Sequence, residues 1–535
     1  MIAVENMKTH ISDRGYDFFI VSVLFIISTI LRMYNYADQP IAPDEIAYSS
    51  YAYSIITHNF AWPPEHMGCH PPLFHYILAT CTYFFEGGLD VFRVVPIFFG
   101  SLTVCVIYFL GKSLYNRRVG ILAAILLCFC SLHILYSRII MLEALWMFLA
   151  YTSLYFFWKS YNKKDDIKYA ILSGVFLGLA CDTKYNALLL YISFILFILW
   201  IKRRGWFLGW KELLKRKYFV LFFVSILVFS PVLIDLYVHN ANPFFWQFFA
   251  RQITKEASYS AVGCSGILDI LKYGFNSYTD MMIDGHSVAT SSLSWLPLFR
   301  LSASFLLIVT LPYYLYLLLR KEPSGSFIII FYMLSNIAIL LFLKRYDYYL
   351  LWAYPAFFIM TSNICVSFFD QIKFRYAKRG LRFFTDATKI LVLISICIFS
   401  FSYIVVGTMA PSLNEGEQAG YEKQVLNIKD KIQPGECIAT DLFGIVIHYT
   451  NKYDIKAKEH NIFLLPLYKP VKRLYYTSTE VNVELLDRVK PRFIITSEYY
   501  FSFCTTVRAN KEIRQHYNLI SNEDAVLLYE RKKNN

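Results

Sequence analysis

Charged residues are scarce in this chain, 17% of its 535 positions, whereas 56% are hydrophobic and 18% aromatic. So little charge beside so much apolar surface excludes a single water-soluble core, and a bilayer must take up the surplus. The eleven Cys form no metal-like spacing. Most of them, including Cys105, Cys128, Cys130, Cys181, Cys365 and Cys397, fall inside apolar runs, where a thiol behaves as a small hydrophobe. No small-residue cleavage site follows the first apolar run, so Tyr16 to Met33 is expected to stay as an anchor. Internal repeats and low-complexity tracts are absent, which counts against a transporter assembled from paired repeats.

What the chain has in abundance is apolar runs of about twenty residues, each long enough to cross roughly 30 Å of hydrocarbon as a helix. They are expected near 16–34, 92–111, 119–136, 139–158, 168–182, 185–201, 218–238, 301–319, 325–343, 346–366 and 388–408. The pattern predicts an α-helical polytopic membrane protein with about eleven transmembrane helices. The net charge of +13 has two common causes, nucleic-acid binding and cytoplasmic loops, and position separates them. Basic residues crowd at Lys112 to Arg118, Lys159 to Lys168, Lys202 to Lys217, Arg320 to Lys321 and Lys373 to Lys389, which are alternate loops. That placement puts the N-terminus in the cytoplasm and the C-terminal part outside, and removes nucleic acid as a partner.

Two connections on the outer side are long, 35–91 and 239–300. From Ala410 the apolar runs shorten to strand length, at Cys437 to Thr440, Gly444 to Tyr449, Phe493 to Thr496 and Ala525 to Tyr529, with a helical stretch at Val483 to Val489. The expected division is a membrane domain over 1–409 and a small soluble α/β domain over 410–535, outside the membrane. Cys437 and Cys504 are the two Cys of that domain, and an oxidising compartment would let them pair if they meet.

Candidate chemistry gathers in the outer segments. Pro43, Asp44 and Glu45 follow the first span and open an amphipathic stretch through Tyr48, Tyr51 and Ile55. Two readings stay open. The acids favour the positive end of a short interfacial helix with Pro43 in its first turn, or one of them faces a cleft as general base toward an acceptor hydroxyl or amine. In Cys69-His70-Pro71-Pro72-Leu73 the paired prolines fix the backbone and hold His70 at the start of another helix near the membrane. Arg93 opens the second span. Arg138 with Glu143, Lys184, and Lys344 with Arg345 reach the same outer surface by this topology. Each is either an interfacial anchor or part of a site for a lipid-linked phosphate, which gains negative charge as it departs and is gripped by charge-assisted bonds.

These residues, in this order, resemble the glycosyltransferase-C superfamily, in the branch of protein O-mannosyltransferases and the lipid A aminoarabinose transferase. The likeness rests on Asp44-Glu45 followed by Tyr48, on His70-Pro71-Pro72-Leu73, on Arg93, on Tyr136-Ser137-Arg138 with Glu143, and on Gly178-Leu179-Ala180 leading into Thr183-Lys184-Tyr185. The resemblance implies the glycosyltransferase-C fold and an inverting transfer of sugar from a polyprenyl-phosphate donor. Asp44 would be the base, supported by Glu45. Arg138 and Lys184 would hold the donor phosphate with His70 near it, and Tyr48, Arg93, Glu143, Lys344 and Arg345 complete the expected substrate-binding set. The chain departs from aminoarabinose transferases, which carry Lys where His70 stands and have more spans, and it has no inserted MIR repeats.

A phosphate leaving group needs no general acid where cations neutralise it, and no redox cofactor is required. A divalent metal is the one cofactor left open, with Glu143, His70 and His286 as groups able to contribute ligands, and no metal residues are assigned. The alternative class is a transporter or flippase of lipid-linked sugars, which tends to carry its ionisable groups near the bilayer midplane rather than at the outer ends of spans. Sequence does not name the sugar, the acceptor or the polyprenyl type.

Overall fold

The computed structural model describes residues 2–34, 36, 45, 48–49, 51–52, 55–56, 71–85, 89–163, 166–201, 212–238, 310–341, 351–375, 415–432, 438–440, 462–464, 490, 492–497, 513, 515–523 and 526–532. Asp44, His70, His286, Lys344, Arg345, Cys397, Cys437 and Cys504 lie outside these residues, as do the loop 239–300, the span expected at 388–408, the strand expected at Gly444–Tyr449 and the helix expected at Val483–Val489.

The apolar runs fold as helices, the form in which a chain satisfies its own backbone polar groups away from water. In chain order these are α1 (Ile2–Met33), α2 (Leu73–Phe85), α3 (Leu89–Leu114), α4 (Arg117–Cys128), α5 (Ser131–Tyr136), α6 (Glu143–Asn162), α7 (Ile167–Cys181), α8 (Leu188–Ile201), α9 (Arg216–Val238), α10 (Pro323–Leu341) and α11 (Tyr354–Arg375). Among the described residues Gly15–Met33, Leu89–Leu114 and Arg216–Ile234 are helices long and apolar enough to cross a membrane, and Leu73–Phe85, Ile167–Cys181, Tyr185–Ile201 and Thr310–Leu319 are shorter apolar helices. The run expected as one span at 119–136 is broken: α4 ends at Phe129, and Cys130 turns extended before α5 begins. Its 12 residues reach only about 18 Å at 1.5 Å per residue.

By packing, the chain divides into two compact units, one of Met1–Tyr34, Pro96–Arg138 and Leu142–Met409, the other of Asn35–Val95, Ile139–Met141 and Ala410–Asn535. In the first unit α7 is held closely on both sides. Ser153 on α6 and Ser173 on α7 exchange hydroxyl-to-carbonyl hydrogen bonds of 2.9 and 3.0 Å. A Cβ at Gly174 would stand 2.5 Å from the Leu221 carbonyl of α9, and one at Gly178 would stand 2.7 Å from that of Ser225. Two glycines four apart thus let the α7 and α9 backbones approach, as small residues do at helix contacts in membranes. Aromatic rings fill the space beyond: Phe157 stacks on Phe194 at 3.9 Å and on Phe327 at 5.5 Å, joining α6, α8 and α10. The described cysteines of these helices, Cys105, Cys128, Cys130, Cys181 and Cys365, are free and buried.

The second unit contains a five-stranded mixed sheet, β2-β1-β3-β5-β4, of β1 (Ile438–Thr440), β2 (Ile462–Leu464), β3 (Phe493–Ser497), β4 (Tyr517–Glu523) and β5 (Val526–Arg531). β1 runs parallel to β2 and β3, with Ile438 opposite Ile462 and Phe493. β5 is antiparallel to β3 and β4, and the pairing with β4 shifts register between Leu519 and Ser521. Helix α12 (Glu415–Ile428) packs on β3, β4 and β5, where Gln424 donates to the Val526 carbonyl at 2.8 Å.

Candidate active site

In the second unit, Glu45, Tyr48, Ser49, Ala52 and Ile55 are helical and buried, a spacing that gives one face of a helix. That face meets α2, which starts at Leu73 once Pro72 has supplied a carbonyl for Tyr76. The Tyr48 ring lies 5.9 Å from Phe74 and 5.5 Å from His75, and Tyr51 stands edge-on to His75 at 5.3 Å. His75 is buried beside the Pro71 backbone, and burial pushes its pKa down to about 4, so the imidazole is neutral near pH 7.

Glu45 is fully committed. Arg93 grips its carboxylate bidentately, Nε to Oε1 at 2.8 Å and Nη2 to Oε2 at 2.9 Å, and the Ile140 amide donates to Oε1 at 2.8 Å. Arg93 also donates from Nη1 to the Tyr36 carbonyl at 2.8 Å. Both charged side chains are at most 1% exposed. A buried carboxylate holding three such bonds is a strut between segments 36, 45, 93 and 140, since fork-to-fork geometry fixes angle as well as distance. The carboxylate next to it in the chain is that of Asp44.

In the first unit the turn after α5 carries Arg138, buried, which donates to the Tyr34 carbonyl beyond the end of α1. Glu143 opens α6 and accepts from the Lys184 ammonium at 2.6 Å. Lys184 is set by the turn after α7, where the Ala180 carbonyl accepts from both the Thr183 and Lys184 amides. Two residues before Tyr34, Arg32 is wholly buried in α1. Its Nη1 donates to the Ser28 carbonyl at 2.9 Å and hydroxyl at 2.6 Å, and its Nη2 lies 2.6 Å from His133 Nδ1 on α5.

A family model described as dolichyl-phosphate-mannose-protein mannosyltransferase matches residues 69–234. No curated protein sequence matches the chain. Among solved structures, ArnT from Cupriavidus metallidurans bound to undecaprenyl phosphate is similar over 96% of this chain and 98% of its own, at TM-score 0.59 and 11% identity. The archaeal oligosaccharyltransferase AglB from Archaeoglobus fulgidus, in complex with an inhibitory peptide and a dolichol-phosphate, is similar over 97% of this chain and 75% of its own, at TM-score 0.56 and 12% identity. The chain has the glycosyltransferase-C fold. With its apolar helices, that makes it an integral membrane protein.

Within this fold, the described residues expected for catalysis and substrate divide between two clusters, Glu45 with Tyr48 and Arg93 in one unit, Arg138 with Glu143 and Lys184 in the other. The sequence-based reading paired neither Glu45 with Arg93 nor Glu143 with Lys184, because partners 48 and 41 residues apart leave no local signal. It also passed over Arg32 and His75. Arg32 carried a signal, a cation in the last turn of an apolar span, which by default marks a site or a specific partner. Among the described residues no group of three or more His, Cys, Asp and Glu is placed to hold a metal ion.

Proposed function

We propose that this chain is an inverting glycosyltransferase that moves a sugar from a polyprenyl-phosphate donor to an acceptor hydroxyl or amine, on a protein, lipid or glycan, at the extracytoplasmic face. The observation that carries the reading is the buried Glu45–Arg93 pair, tied to the Ile140 amide. It gives the Asp44-Glu45 doublet one carboxylate locked as a strut, and leaves Asp44 as the carboxylate for proton transfer. The description of the matched family and the polyprenyl phosphates bound to ArnT and AglB support the donor class.

In the proposed reaction the acceptor oxygen or nitrogen attacks the anomeric carbon from the face opposite the phosphate, and its proton passes to Asp44. The anomeric C–O bond breaks with its electron pair going to the phosphate oxygen, which inverts the centre. Arg138 and Lys184, with His70, Lys344 and Arg345, are assigned to the charge that gathers on the phosphate. Tyr48 is assigned to hold the doublet's helix on α2 rather than to touch substrate, because its ring packs on Phe74 and His75. Residues 1–409 form the catalytic membrane domain and 410–535 an extracytoplasmic domain, with the N-terminus in the cytoplasm.

The test is sugar release from a panel of radiolabelled polyprenyl-phosphate sugars by the purified chain in lipid, native against Asp44→Asn. The expected result is transfer by the native chain, and loss of transfer with donor binding kept in the variant. Normal turnover by Asp44→Asn refutes the base assignment, and a donor that is moved across the membrane unconsumed favours a flippase.

A further inference from the structure

Beside the Glu143–Lys184 pair, the first unit holds a set of polar atoms that the mechanism above does not use. Glu143 and Trp146 stand one turn apart on α6, on the same face, and the Trp146 ring meets that of Trp352 at 4.5 Å, edge to face. Neither indole is more than 3% exposed, and neither Nε1–H has an acceptor. The second oxygen of Glu143, Oε2, is buried without a donor, whereas Oε1 receives the Lys184 ammonium at 2.6 Å. The frame around them is well tied: the Tyr151 hydroxyl donates to the Trp352 carbonyl at 2.6 Å and accepts from the Ala356 amide at 3.2 Å. Buried Trp N–H groups ordinarily find a partner, and orphaned buried polar atoms are few and costly. Here two donors and one acceptor are orphaned in one place.

We propose that Trp146, Trp352 and Glu143 form the sugar subsite of the donor, and that it takes a neutral, hydroxyl-bearing sugar in preference to an amino sugar. The inference rests on the polyprenyl-phosphate reading above and deepens it. A hydroxyl both donates and accepts, so one sugar ring can give hydrogen to Glu143 Oε2 and take it from two indoles, while its C–H faces lie against aromatic surface. An ammonium has three donors and no acceptor; where it replaces the hydroxyl that faces the indoles it takes that acceptor from their N–H groups, and it adds a second cation beside Lys184. A site built to bond a hydroxyl rejects an analogue lacking it because its own buried polar groups then stay unpaired. Admitting the ring requires the two indoles, in contact at 4.5 Å, to part.

The test uses the full chain in lipid nanodiscs and measures binding, not turnover, of bare undecaprenyl phosphate, of its mannosyl, glucosyl and galactosyl forms, and of its 4-amino-4-deoxyarabinosyl form. At least one neutral hexosyl lipid is expected to bind about tenfold or more tightly than the bare phosphate, and the amino sugar lipid no more tightly, from roughly one hydrogen bond's worth of affinity per indole. Trp146→Phe and Trp352→Phe keep an aromatic face and lose the N–H; each is expected to cut the hexosyl advantage about fivefold and to leave bare-phosphate affinity as it was. Equal binding of sugar-bearing and bare lipids by the native chain overturns the subsite and leaves the lipid-phosphate reading standing, without recourse to any variant. An equal gain for the amino sugar, or variants that retain the full hexosyl advantage, also overturns it. Failure of every lipid to bind overturns both.

Discussion

Replacing Glu45 by alanine removes the partner of a guanidinium that is 1% exposed and leaves the Ile140 amide without its acceptor. Breaking a buried ion pair from one side costs about 3–5 kcal/mol, because the remaining charge stays out of water uncompensated. An orphaned buried amide adds about 1–3 kcal/mol. The damage is local, so the Ile140 amide itself is the reporter, read by hydrogen exchange on the chain in nanodiscs. Together a loss of about 4–8 kcal/mol in opening free energy is an acceleration of roughly three to six powers of ten. Arg93→Met is expected to cost about as much, since it leaves the carboxylate buried instead. The double variant Glu45→Leu with Arg93→Met should recover most of the summed loss, because apolar side chains of similar volume often replace a buried pair at little net cost. Single variants that exchange within about threefold of native, or a double variant whose cost equals the sum of the two, would refute the strut.

Two further outcomes follow from packing and titration. At the α7–α9 contact, Gly178→Ala sets a Cβ 2.6 Å from that of Val228; helix propensity returns up to about 1 kcal/mol, overpacking costs about 1–3, and a lowered thermal midpoint is expected. Gly15→Ala, with nothing within 4 Å, should leave the midpoint unchanged or raise it, and the same sign at both sites would refute the close-approach account. His75 lies in α2, and burial holds its pKa near 4, below the ordinary 6.5. Its stability contribution is therefore complete above about pH 6.5 and falls as pH drops toward 4, by about 3 kcal/mol in all. Native chain and His75→Leu should diverge over that window in unfolding experiments, and parallel pH profiles would refute the buried neutral imidazole.

Much of the helical layout is legible in the sequence, because a run of apolar residues has one way to hide its backbone in hydrocarbon. Runs expected at 16–34, 92–111, 168–182 and 218–238 are met by helices at Gly15–Met33, Leu89–Leu114, Ile167–Cys181 and Arg216–Val238. The break at Phe129 and Cys130 was not legible, since neither Pro nor Gly marks it and Ser131 is a single polar residue within a mostly apolar run. In the sheet, β3 and β5 were readable from buried apolar residues such as Phe493, Ile494, Ile495 and Val526. β4 was not: it is an edge strand, mostly exposed and written Tyr-Asn-Leu-Ile-Ser-Asn-Glu, with no alternation to betray it.

Composition and the order of short motifs were enough, by themselves, to place this chain among membrane proteins and to point to a glycosyltransferase-C fold. Both are carried by properties that add along the chain, hydropathy per residue and local spacing. What only the tertiary structure decided is that Glu45 is committed, and how the described cations Arg93 and Lys184 are paired. Glu45 and Asp44 are neighbours of the same chemistry in sequence, and it takes Arg93, 48 residues on, and the Ile140 amide, 95 residues on, to lock Glu45 as a strut. Trp146 and Trp352, likewise, are two ordinary apolar-span tryptophans until the fold sets their rings 4.5 Å apart. Hydrogen bonds and ion pairs act over a few ångströms in space, and distance along the chain does not encode that.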